Sequence, residues 1–337
     1  MTTPGAPRWS ADVDQFEWLR VRLDDFRSGH VASVVPSGFE AYARILHPVE
    51  TPRRGGRLVR WADVARWSGA ELDGSSQWIA VALAEVTPVA PRPWRSQGPH
   101  SGSLYRDDAQ ALVSTVRGFT TTPDDCWCCL WEGYAMSGVA FATYGPREAR
   151  PVTPIVADAV RTGPKVHTDY RDYFLFEASL DRSFLDIAES LDGHTPNLWW
   201  PSDRAWCVGT EIYSDSTYVG GSSALVAAIL ECRDLEAFEV RATDSFHDVM
   251  PEWLAVVVAQ AVDDLLSTGR ARIVTALGDV HLEFQRPSRL RRGFVRYSVG
   301  AGDRGASGGS PLSHGREDEL REQVQWRVQS ALRSLVT

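Results

Sequence analysis

The chain has 337 residues, 43% of them hydrophobic and 23% charged, a composition that supports a sizeable core and excludes a disordered chain. Its net charge of −9 argues against general binding to nucleic acid or anionic membranes, both of which attract positive surfaces. Thirteen tryptophans imply thick core packing or an aromatic binding surface.

Residues 1–12 read as a disordered lead, without the basic stretch and apolar run of a secretory signal. Between Asp14 and Phe26, the residues Phe16, Leu19, Leu23 and Phe26 recur at helical spacing and predict an amphipathic helix. Gly38 to His47 reads as a strand ending at the His47–Pro48 step. Gly55–Gly56 marks a turn, and Trp61, Val64, Ala65 and Ser68 line one face of the next predicted helix. The unbroken apolar run from Trp78 to Ala84 reads as a buried strand. Residues 87–103, rich in proline, read as an exposed connector, and Asp107 to Thr120 as a helix running into a loop.

Cys126 to Trp131 is apolar on both alternating faces, as in a central strand covered on two sides. Ala135 to Thr143 continues it or pairs with it. Tyr170 to Ala178 predicts a strand, Leu180 to Leu191 a helix, and Trp206 to Ile212 a further strand. Ser222 to Leu230 reads as a helix with Ser222 or Ser223 as its N-cap. Beyond Met250 come a helix over Pro251 to Leu266, strands at 272–276, 280–285 and 294–299, a mobile Gly/Ser-rich linker at 301–315, and a final helix at 317–336. The fold class that emerges is α+β, a mixed or antiparallel central sheet flanked by helices. Its main domain runs over 13–245, with a smaller α-β-β-β-α region at 250–337.

Five cysteines, three of them crowded at Cys126, Cys128 and Cys129, fit neither a disulfide framework nor a zinc site, and no HExxH, HxH or HxxxH pair occurs. No metal and no cofactor is expected. The longest apolar runs are far too short to span a bilayer, so a cytoplasmic location is expected.

The densest chemistry lies in Asn197 to Ser222, NLWWPSDRAWCVGTEIYSDSTYVGGS. Asp203, Glu211 and Asp215 are the candidate catalytic carboxylates, since paired carboxylates perform acid–base work or hold a divalent cation. The blander reading has Asp203 capping a turn and Glu211 pairing with an arginine. Trp199, Trp200, Arg204, Tyr213 and Tyr218 are candidate binding residues. Gly220 and Gly221 join them because glycines before a helix can offer free amides to an anion, although a plain turn also explains them. Further on, Arg286, Arg289, Arg291, Arg292 and Arg296 are interleaved with Phe284, Phe294 and Tyr297. With an element order similar in outline to double-stranded-RNA-binding modules, they form a candidate RNA surface. An arginine-rich hairpin loop docking on an acidic face is the alternative.

The phrases VPSGFEAYARILHP, DYFLFEASLD and NLWWPSDRAWCVGTEIYSDSTYVGGS resemble a group of uncharacterised proteins from high-GC actinobacteria. The resemblance covers much of residues 14–230 and implies no activity. Taken together, the residues point first to a cytoplasmic binding or interaction protein with a Trp-rich acidic surface around 199–218, its partner a protein or small molecule. The second reading is an acid–base or metal-assisted hydrolase using the three carboxylates, and the third is RNA binding through the 286–296 loop.

Overall fold

The computed structural model describes residues 7–51, 58–83, 91–94, 98–134, 139–141, 149–151, 156–181, 184, 194–246, 252–275, 277–286, 293–300, 306–312 and 317–336. The fold is α+β. The chain divides into two compact units, one of Met1–Pro48 with His100–His247, the other of Val49–Pro99 with Asp248–Thr337. Residues 49–99, expected in the main domain, therefore belong with the C-terminal region.

The first unit is built on a nine-stranded antiparallel sheet. Eight strands run in the order Arg8–Trp9, Asp172–Ala178, Cys126–Trp131, Leu198–Pro201, Cys207–Gly209, Ser216–Gly221, Ala41–Leu46 and Ala237–Val240. Val166–His167 pairs additionally with Asp172–Ala178. Alternation along the strands divides the side chains between two cores. Cys126, Cys128, Leu130, Phe174, Trp199, Val208 and Val219 face one side, where the helices Arg106–Val116 and Ser223–Glu231 contribute Leu112, Val116, Leu225 and Ile229. Trp127, Cys129, Leu175, Trp200, Cys207 and Tyr218 face the other, covered by Phe16, Trp18, Leu19, Val31 and Val35 from the N-terminal segment. Cys126 to Trp131 is thus the two-sided central strand its composition predicts. Ser222 is the N-cap of the following helix, accepting from the Leu225 amide at 3.2 Å.

Several expectations change. The N-terminal helix shrinks to one α-turn, Glu17–Arg20, flanked by 3-10 turns. The chain turns away at Asp24, whose amide bonds the Ala32 carbonyl, and Asp25 caps the next turn by accepting from the Arg27 amide. In the second unit, Trp78–Leu83 is a helix, not a strand. Trp78 packs against Trp61 and Trp94, ring centroids 5.3 Å apart in both cases; a run buried almost all round carries no period to read. Trp94 is itself buried, so the supposed exposed connector contributes to the core. The helix Trp61–Ser68 is present and buries Trp61, Val64, Ala65 and Ser68. The C-terminal part is a four-stranded antiparallel sheet with the helices Glu252–Thr268 and Glu317–Val336. Its fourth strand, Ala306–Leu312, falls in the segment expected to be a mobile linker and pairs with Gly293–Gly300. The helix predicted over 180–191 lies largely outside the described residues.

Candidate functional site

The first unit holds a cavity of about 360 Å³, within the size range of small-molecule sites. One wall is the turn between Val166–His167 and Asp172–Ala178. Thr168 locks this turn: its amide and hydroxyl both donate to the Arg171 carbonyl, and its hydroxyl oxygen accepts from the Arg171 amide. The turn presents Asp169, Tyr170 and Arg171 to the cavity. Asn197, Leu198, Thr210 and Glu211, from the adjoining ends of two sheet strands, contribute further lining. Asn197 is buried and fixed on both sides, accepting from the Trp131 amide and donating to the Tyr134 hydroxyl, each at 2.9 Å. Arg20, Leu23, Asp24, Phe26, Ser33 and Val34 of the N-terminal segment also line the cavity.

Arg171 is the pivot. Its Nη2 donates to Glu211 Oε1 at 3.0 Å and its Nη1 to the Tyr170 carbonyl at 3.0 Å. Its guanidinium carbon lies 5.7 Å from the ring centroids of both Trp131 and Tyr213. The pair is largely withdrawn from water, with the Glu211 side chain 11% exposed and that of Arg171 22%, and Glu211 Oε2 also accepts from the Tyr213 amide at 2.6 Å. Arg171 Nε is buried without a hydrogen-bond partner. Tyr170, which lines the cavity, is 37% exposed, and Tyr213, whose ring faces the Arg171 guanidinium, is 75% exposed.

The predicted carboxylates do not converge. Glu211 lies in the cavity. Asp203 sits at the opposite end of the short Cys207–Gly209 strand, accepting from the Thr121 amide at 2.7 Å, from the Thr120 and Thr121 hydroxyls and from the Ala205 amide. Burial disfavours its charge, but these hydrogen bonds outweigh that effect and hold the carboxyl below its ordinary range. Asp215 serves the fully buried Arg44, 3.6 Å from its Nη2, and accepts from the Ser216 hydroxyl. Among the described residues, no group of three or more His, Cys, Asp or Glu side chains is arranged to hold a metal ion.

The aromatic surface is also redistributed. Trp199 and Trp200 are buried on opposite faces of the sheet, Trp199 against Phe184 and Trp206, Trp200 against Phe16 and Trp18. Tyr218 is buried in the sheet as well. Arg204 is exposed, in left-handed backbone at φ 57°, with its guanidinium 5.5 Å from the Trp18 ring centroid. Of the proposed binding residues, Tyr213 alone borders the cavity's ion pair.

Gly220 and Gly221 form no anion loop. Both lie in the strand Ser216–Gly221, paired with Tyr42 and Ala41. A Cβ at Gly220 would come within 2.5 Å of the Phe39 ring, while one at Gly221 would meet the end of the Leu225 side chain at 2.7 Å. Gly220→Ala is therefore expected to cost about 1–3 kcal/mol in thermal or urea unfolding. Gly221→Ala should cost less, because the Leu225 terminus can turn aside; equal losses would contradict the packing account.

Cys126, Cys128, Cys129 and Cys207 are free and buried. Burial raises their thiols out of the reactive range, Cys126 to about 12. Most of the arginine loop lies outside the described residues; Arg296 stacks on Phe294 at 4.4 Å and pairs in register with Glu283. No helix among the described residues is long and apolar enough to cross a membrane. No family model, curated protein or solved structure matches the chain.

The cavity residues Arg171, Asn197 and Asp169, and Trp131 against the Arg171 guanidinium, are absent from the expected site. The one local signal is HTDYRD at 167–172, acidic and aromatic residues in a turn before a strongly apolar strand. Its partner Glu211 lies 40 positions away.

Proposed function

We propose that this is a cytoplasmic small-molecule-binding protein whose site is the cavity beside Arg171 and Glu211. The observation that carries the reading is the combination in one cavity of an ion pair largely withdrawn from water, its guanidinium set against two aromatic rings, with the exposed ring of Tyr170 on the cavity wall. Polar groups held in place within a concavity fix a ligand's orientation, while the aromatics supply contact area. Free cysteines fit a reducing compartment. A protein-contact surface built on Trp199 and Trp200 is not supported, since both are buried.

The test is a thermal-shift panel of small organic cations, anions and neutral compounds against the full chain and its Tyr213→Ala variant. Tyr213 is exposed, so its loss leaves the fold intact. At least one class should raise the melting temperature of the wild type, as any ligand of the native state does, and should lose most of that effect in the variant. No shift from any class, or the same shift in both proteins, would overturn the reading.

A further inference from the structure

Given the small-molecule site proposed above, its charges indicate which class of molecule it takes. The two arginines that line it are already committed. Arg20 donates to Glu17 twice, at 2.8 and 2.6 Å, and Arg171 donates to Glu211. The acids are in surplus: Asp169 makes no ion pair among the described residues, and Asp24 meets His30, at 3.1 Å, rather than an arginine or lysine. Rings adjoin the cavity: Phe26 and Tyr170 line it, and Tyr213 faces the Arg171 guanidinium. Tyr170 lies against Phe26 with centroids 4.9 Å apart, and Tyr213 is exposed. The chain itself shows what these rings accept, since the Arg171 guanidinium sits near the faces of Trp131 and Tyr213.

An ammonium or guanidinium entering here would gain from both carboxylates and ring quadrupoles. A carboxylate would face Asp24 and Asp169 and find both arginines in ion pairs, the unpartnered Nε of Arg171 being buried. We infer that the ligand is a small organic cation, its charged group held by Asp24 and Asp169 and its apolar body against Tyr170 and Tyr213.

Isothermal titration of the full chain with benzyltrimethylammonium, benzoate and benzyl alcohol separates charge from shape. The cation is expected to bind at least about tenfold more tightly than either of the others, and Asp169→Asn to weaken it about fivefold. Asp169 is exposed, and an unchanged melting temperature will show that the variant is folded. Benzoate or benzyl alcohol binding as tightly as the cation, or an Asp169→Asn variant that binds the cation unchanged, overturns the cation assignment while leaving the site. Failure of all three probes to bind overturns the site as well.

Discussion

Trp200→Ala is expected to destabilise the first unit by about 3–5 kcal/mol, the range for removing a large buried aromatic. The side chain is 1% exposed and packs edge-on against Phe16 and Trp18, with centroids 6.0 and 6.2 Å away. It joins the sheet to the N-terminal segment that covers this face. For a unit of this size the loss should lower the unfolding temperature by roughly 10 °C. Trp199→Ala should cost a similar amount on the opposite face, where Phe184 and Trp206 would be left around a void. The two variants separate packing from recognition: in the folded Trp199→Ala protein, binding at the cavity should persist, because Trp199 lies in the other core. Selective loss of binding with unchanged stability would restore the tryptophans as contact residues.

The second large effect is acid sensitivity centred on His47. This imidazole is fully buried, its Nδ1 2.6 Å from the His100 carbonyl and its Nε2 2.9 Å from Thr217 Oγ1. A carbonyl only accepts, so Nδ1 carries the proton and Nε2 accepts from the Thr217 hydroxyl. Thr217 lies in turn 2.7 Å from the Thr210 hydroxyl at the cavity wall. Burial, and more weakly the charges of His100 and Arg44, push the His47 pKa down to about 3 against the pull of the His100 carbonyl. The unfolded chain titrates near 6.5, so below that pH it binds a proton that the native state refuses. The contribution of neutral His47 is therefore complete above about pH 6.5 and declines as pH falls toward 3, at about 1.4 kcal/mol per pH unit. Urea unfolding at pH 6.5 and pH 5 should show about 2 kcal/mol lost in the wild type for this group alone. His47→Gln should lower stability at both values while flattening that slope; an unchanged slope would rule out His47 as its source.

What could be read in advance divides along physical lines. Cys126 to Trp131 and the helix Glu317–Val336 were legible because their burial follows a simple pattern, two-sided in one case and 3.6-periodic in the other. Trp78–Leu83 was not, because six residues that are nearly all buried look alike as strand or helix. Ser216–Gly221 is hidden by its paired glycines, which signal a turn locally, whereas in the strand the close approach of the Phe39 ring requires Gly220. Ala306–Leu312 was hidden in the same way by a composition typical of linkers. Within the site, Glu211 was recognised as a carboxylate of interest and its pairing with an arginine was weighed. Which arginine depended on a strand order in which the 168–171 turn and the end of Cys207–Gly209 reach the same cavity. Local sequence carries no trace of that order. A turn-capping role for Asp203 is legible in the sequence, and its carboxylate does accept from the Ala205 amide, but its partners Thr120 and Thr121 and the Arg44 partner of Asp215 are not, since they lie 83, 82 and 171 positions away in the chain.

The most direct test of the small-molecule site is a crystal structure of the full chain soaked with benzyltrimethylammonium. Ordered density for the probe among Asp24, Asp169, Tyr170 and Tyr213, with the Arg171–Glu211 pair intact, is the expected result. A cavity closed by its own side chains, or the probe bound only elsewhere on the chain, would contradict it.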